Sequence, residues 1–245
     1  MFKKVGTTLA LSAVLFSAFS STGAISSASA ATNVTSSYSS KMRSNALHMA
    51  YYAYEEKKRG TYPVGTGKEF ASKVKSGGPW DYKKVYKGSY TFNGKSARGE
   101  DLGNMHYGYV GRASGFSSSI LKTAAGAYQI KSDTAKLKWY RSYFDDPKDQ
   151  TWIKYGISLW NNNSLPKSKS LAISSLSVGE EDTTSLLSAP LSFDELTDTE
   201  KEAIRNEVSK DSEAIKKEQA NGTPEEAQIN DINNELEETG VTVSN

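Results

Sequence analysis

The chain has no cysteine. That excludes disulfides, thiolate metal sites, a cysteine nucleophile and a lipidated cysteine, so any folded part must hold by packing alone. Histidine is nearly absent too, with 2 residues, His48 and His106. After Ala30 no segment is apolar enough to span a bilayer. Hydrophobic residues make up 37% of the chain and mean hydropathy is −0.57, so part of it is expected to lack a packed core. No serine-nucleophile elbow, P-loop or HEXXH motif is present.

Two further scarcities divide the chain. All 4 Trp and all 14 Tyr precede Ser164. Basic residues outnumber acidic ones 23 to 10 in residues 1–163, whereas acidic outnumber basic 18 to 7 in residues 164–245. A basic body therefore carries an acidic tail. Such a body attracts polyanions: nucleic acid, an anionic cell-wall polymer or lipid head groups. Solubility alone is the plainer explanation of the same charge.

At the N-terminus, Lys3-Lys4, an apolar run from Val5 to Phe19 and Ala28-Ser29-Ala30 have the layout of a Sec-type signal peptide over residues 1–30. This predicts a secreted or wall-associated protein. Residues 31–40 are Ser/Thr-rich and read as a flexible lead. Residues 41–59 have a helical period, with Ala46, Met49, Ala50 and Ala53 on one face and Gly60 as the stop. A short helix is expected around residues 69–75, and a hairpin turning at Asn93-Gly94.

The densest chemistry lies in Gly99–Gly111, G-E-D-L-G-N-M-H-Y-G-Y-V-G. Its four glycines predict a loop, or a loop entering a tight helix–helix contact. Beyond it, Ser117 can cap a helix with Ile120, Leu121, Ala124, Ala125 and Tyr128 as its stripe. Another helical piece is read from Asp133, with Leu137, Tyr140 and Phe144. Asp146-Pro147-Lys148-Asp149 reads as a helix start, followed by a buried stripe of Trp152, Ile153, Gly156, Ile157 and Trp160. In the tail, residues 192–219 and 225–238 read as thin helices, either disordered or a weak arm needing a partner surface.

His106 is the sharpest proton-transfer candidate, with Asp101 or Glu100 to orient it and Asn104 to hold a substrate oxygen. A histidine satisfied by structural hydrogen bonds is the competing reading. Asp146 and Asp149 are explained by helix capping. Alternatively, with Asp101, they bind a divalent metal such as Mg²⁺ for phosphodiester hydrolysis. Arg98, Arg112 and Lys122 can contact phosphates, or form a solvated basic surface. Tyr107, Tyr109 and Trp80 can stack on bases or sugars, or pack in the core.

Three motifs in order carry a resemblance: D-x-G-N-x-H-Y-G-x-x-G from Asp101 to Gly111, then Ala124-Ala125-Gly126-x-x-Gln129, then Asp146-Pro147-x-Asp149 with Ile153 and Gly156. Together they resemble the polymorphic toxin type 44 domain of bacteria, over about residues 41–163. The resemblance implies a module used in competition between bacteria, with a proposed nuclease activity on RNA and an immunity protein as partner. Asp101, Asn104, His106, Asp146 and Asp149 occupy the family's polar motif positions.

The expected architecture is a mainly α-helical, compact domain with a small β-hairpin element, followed by a low-complexity acidic tail over residues 164–245. The leading function is a secreted toxin-like hydrolase, a nuclease. Its alternatives are a cell-envelope protein that binds or cleaves peptidoglycan or another wall polymer, and a non-catalytic interaction module. The tail is read either as an intramolecular polyanion mimic that restrains the body or as a solubilising appendage.

Overall fold

The structure is a computed structural model that describes residues 31–123, 147–167 and 190–238. The expected signal peptide, the helical stripe beyond Thr123, the piece from Asp133 to Phe144, Asp146 and residues 168–189 lie outside the described residues.

Helix α1 spans Thr35–Arg59, six residues longer at its start than the periodicity suggested. The expected flexible lead is instead strand β1, Thr32–Asn33, running into that helix. Tyr38 is the reason: it is fully buried, stacks edge-on with Tyr82, Tyr86 and Phe92, and donates a 2.7 Å hydrogen bond to the Leu102 carbonyl. Such a contact offsets the cost of ordering a polar segment. Gly60 ends α1 in the left-handed conformation at φ 76°.

Helix α2 is Val64–Val74. Its first turn has no side-chain cap of its own. Glu56 of α1 replaces one, its carboxylate accepting from the Gly65 and Thr66 backbone amides at 2.6 and 2.7 Å. A short helix α3, Tyr82–Val85, precedes strands β2, Tyr90–Phe92, and β3, Lys95–Ala97. Asn93 and Gly94, at φ 48° and 74°, make the expected hairpin turn. Strand β1 joins β2 in parallel, Thr32 opposite Tyr90, which completes a three-stranded sheet.

Helix α4 occupies Gly99–Ala113, where a loop was the first expectation. Helix α5, Pro147–Asn161, lies beside it. The contacts Lys148–Glu100 at one end and Arg112–Asn161 at the other show that the two run parallel. Their backbones touch through glycine. A Cβ on Gly156 would lie within the van der Waals sphere of the Met105 carbonyl oxygen, and one on Gly108 within that of Ile153. The glycines are thus the interface of a helix pair and not its interruption.

Beyond Pro190, Ser192 and Glu195 form the expected capping box, but it closes only a 3-10 turn, Phe193–Glu195. Thr197 and Glu200 then cap α6, Asp198–Ala220, and α7 follows at Glu225–Glu238. Leu196, Ile204 and Val208 cover a second apolar strip of α1, made of Leu47, Tyr51 and Tyr52. Arg43 clamps Glu195 with two hydrogen bonds, Nε at 2.6 Å and the second amino group, and Lys68 pairs with Glu218 at 3.1 Å. The arm thus finds its partner surface within the chain. The fold is mostly helical with a small sheet, as expected.

Gly156→Ala is expected to cost at least about 2 kcal/mol in urea unfolding, because two backbones must separate. Gly103, also in α4, has nothing nearer than 3.9 Å to an added Cβ. Gly103→Ala should therefore stabilise by about 0.5–1 kcal/mol through helix propensity.

Candidate functional site

Parallel packing brings the N-termini of α4 and α5 together, and with them their first-turn acids. Glu100, Asp101 and Asp149 each offer a carboxylate oxygen, all within 4.8 Å of one another. Asp101 and Asp149 are 2% and 1% exposed. Two positive helix ends make so tight an acidic cluster tolerable. Asp101 Oδ2 also accepts the Arg98 backbone amide at 2.8 Å, closing the first turn. Lys148 places its ammonium against the cluster, 2.9 Å from Asp101 and 3.1 Å from Glu100. Burial pulls the Lys148 pKa down, but the hydrogen bonds and charges of the two acids hold it above its ordinary value.

Asn104, one turn further along α4, is fully buried. Its amide Nδ2 donates to Asp149 Oδ1 at 2.8 Å. Its Oδ1 has no hydrogen-bond partner among the described residues. A buried, unsatisfied carbonyl-type oxygen on the side chain that holds Asp149 is unusual, and it offers a fourth oxygen donor besides the three carboxylates. Such a set fits a hard divalent cation, Mg²⁺, Mn²⁺ or Ca²⁺.

Next to the cluster is a shallow cleft of about 390 Å³ lined by Lys83, Tyr86, Lys87, Ser89, Arg98 and Glu100. Lys83, Lys87 and Arg98 are exposed. Glu100 is common to both features, so the carboxylates sit at the edge of a cationic groove.

The structure separates His106, Tyr107, Tyr109 and Arg112 from this place. His106 lies about 140–200° around α4 from Asp101 and Asn104. It is 1% exposed, held between the Trp80 and Tyr82 rings with centroids at 5.1 and 4.8 Å. Asn45 Nδ2 lies 2.8 Å from His106 Nε2 and 2.8 Å from the Tyr82 hydroxyl. An amide NH₂ has only protons to offer, so His106 Nε2 accepts and the neutral ring carries its proton on Nδ1. Desolvation first, and Lys41 second, lower its pKa to about 3. The expectation that Asp101 or Glu100 orients His106 for proton transfer is corrected accordingly: the helix turns it away.

Tyr107 is buried against Phe70, with centroids at 5.3 Å, and presents no face for stacking. Tyr109 is buried edge-on to Trp160 at 5.4 Å. Burial raises its pKa to about 12, and Arg43 opposes the shift. Arg112 donates to the Phe116 carbonyl and to Asn161 Oδ1, tying the far ends of α4 and α5 together. Lys122 is half-buried, and its carbonyl accepts from Gln150 at 3.0 Å. Asp146 lies outside the described residues.

Residues 69–162 match the family model described as Bacterial toxin 44. The match agrees with the family recognised from the three motifs, and it makes this segment similar to the bacterial toxin 44 domain. The match takes in the carboxylate cluster, Asn104 and the cationic cleft. It leaves out α1 and the acidic arm. No curated protein and no solved structure matches the chain. Among the described residues, no helix is long and apolar enough to cross a membrane.

Sequence reasoning named Asp101, Asn104 and Asp149 but missed Glu100 as a cluster member, and it missed Lys83, Lys87 and Lys148. A signal was available for Glu100. Gly99 starting a helix after an extended residue puts adjacent acids in the first turn, where the dipole favours them.

His106 gives a pH signature. Its folded pKa, about 3, lies below its unfolded value near 6.5. Stability contributed by the neutral ring is therefore whole above the unfolded pKa and is lost as pH falls, because the unfolded chain takes up the proton. Between pH 7 and pH 5 the loss is about 2 kcal/mol. Urea titrations should show that difference in the wild type and a clearly smaller one in His106→Gln.

Proposed function

We propose that the toxin domain is a divalent-cation-dependent phosphodiesterase, a nuclease that acts on RNA. One observation carries this reading: Glu100 belongs both to the Glu100–Asp101–Asp149 cluster and to the cleft lined by Lys83, Lys87 and Arg98. A phosphodiester needs cationic side chains for its oxygens and a negative site for a metal beside them. Here the two adjoin.

Glu100, Asp101 and Asp149, with Asn104 Oδ1, would hold the cation, and the cation would displace the half-exposed ammonium of Lys148. Once bound, such an ion polarises the phosphoryl group and acidifies water. Lys83, Lys87 and Arg98 hold the polynucleotide backbone. Their charges fix no sequence, which suits a weapon against varied targets. His106 has a structural part in this reading, neutral, packed on Tyr82 and hydrogen-bonded to Asn45. Export by residues 1–30 and neutralisation by an immunity protein belong to the same proposal. So does a domain over residues 41–163 with residues 164–245 as its acidic appendage. Such an inhibitor would need acidic groups to cover the groove.

The test uses the full chain with RNA, single-stranded DNA, duplex DNA and purified cell wall, each with chelator, Mg²⁺ or Mn²⁺. RNA cleavage in the metal lanes is expected, reduced at least about 100-fold in Asp149→Asn. Lys83→Ala/Lys87→Ala should weaken RNA binding and flatten its dependence on log salt by roughly two contacts. Intact nucleic acids together with products from the wall would replace this reading with the cell-envelope one.

A further inference from the structure

A second group of metal-ligating side chains gathers at helix α1. His48 of α1, Glu69 of α2 and Glu207 of α6 each present one ligand atom, all within 4.8 Å of one another. Three separate elements supply them, one from the acidic arm. His48 and Glu207 border a cavity of about 310 Å³ that is also lined by Asn45, Lys73, Trp80 and Glu200.

The cluster is electrostatically incomplete. His48 Nε2 lies 3.3 Å and Lys73 Nζ 2.8 Å from Glu69 Oε1. Burial raises the Glu69 pKa, but His48 and Lys73 outweigh it and hold the carboxyl below its ordinary value. Glu207 is relieved less: burial first and the charge of Glu69 second push its pKa up, Asp211 adds to this, and the lowering influence of His48 and Lys73 does not offset the rise. The docking of α6 thus brings a second carboxylate to within 4.8 Å of Glu69, and the described ion pairs of His48 and Lys73 at this place both go to Glu69.

We infer that His48, Glu69 and Glu207 form a site for a first-row transition cation, Zn²⁺ in the first instance, which pins the acidic arm to the body. One imidazole nitrogen, two carboxylates and an open fourth position facing a cavity are a zinc donor set. The imidazole distinguishes it from the all-oxygen cluster at α4 and α5, which suits Mg²⁺. Lys73, 26% exposed at its side chain, swings away when the cation takes Glu69. His48 and Glu207 lie outside residues 69–162, so the site is a feature of this chain and not of the toxin-44 segment. It does not depend on the nuclease reading.

The arm's other attachments to α1 and α2 include Arg43–Glu195, Lys68–Glu218, Glu55–Arg205 at 3.7 Å, and the Tyr52 hydroxyl on Asp211. They seat α6 so that Glu207 arrives at the site. Metal binding and arm docking are then linked: each strengthens the other by the same factor. Loss of the cation loosens the arm, and chelation becomes a way to release it.

The experiment is calorimetric titration of the full chain with Zn²⁺ after chelator treatment, on the wild type, His48→Gln, Glu207→Gln and Asp149→Asn. Far-ultraviolet circular dichroism checks each fold, and bound Co²⁺ reports nitrogen ligation by its visible spectrum. We expect one Zn²⁺ whose affinity falls at least about 100-fold in His48→Gln and Glu207→Gln and is retained in Asp149→Asn. At about a hundredfold excess over Kd, wild-type Tm should rise by about 5–10 °C, with slower trypsin cleavage within residues 190–238. The inference is overturned if the wild type binds no Zn²⁺, or if binding survives both His48→Gln and Glu207→Gln.

Discussion

The arrangement depends on the parallel contact of α4 and α5 through Gly108 and Gly156. Only glycine lets two helix backbones meet so closely, and only parallel packing puts both N-termini at one end. From that contact follows the clustering of Glu100, Asp101 and Asp149. The two helix dipoles and Lys148 make the cluster tolerable, and Arg112 with Asn161 fastens the opposite end. The cationic groove follows as well, because Gly99 and Arg98 open α4 where α3 and β2 leave Lys83 and Lys87.

Helix α1 serves two masters. One face, with Tyr38, Met42, Ala46 and Met49, belongs to the core under α4. The adjacent strip, Leu47, Tyr51 and Tyr52, belongs to the acidic arm. The arm's described ion pairs engage Arg43, Glu55 and Lys68 on α1 and α2, and none of them involves Lys83, Lys87 or Arg98. Among the described residues, acids of the tail therefore meet cations of the body at Arg43 and Lys68 and not at the groove. Apolar burial sets the place and ion pairs set the register, the usual division between the two forces.

Much of the local structure was legible in the sequence. The α1 period, Gly60 as its stop, the Asn93-Gly94 turn, the start of α5 and the Ser192–Glu195 box all depend on residues within one turn of each other. What was not legible depends on partners far along the chain. Four glycines argue against a helix at residues 99–111 until Gly156 and Ile153 are known to lie against them. Asn104 and Asp149 are 45 positions apart, and nothing local says that they meet. His106 looks like a reactive group in a line of text. Its Asn45 and Tyr82 neighbours, placed by two other helices, make it a buried neutral acceptor. The Ser/Thr-rich lead was misjudged because one aromatic, Tyr38, outweighs the composition around it.

The central claim is that the junction of α4 and α5 holds a hard divalent cation. The most direct measurement is a Mg²⁺ titration of the isotope-labelled full chain, followed by its backbone amide NMR signals. Saturable shifts concentrated at residues 99–104 and 148–152 are expected. Shifts confined to the acidic helices at residues 198–238, or none at all, would contradict the account.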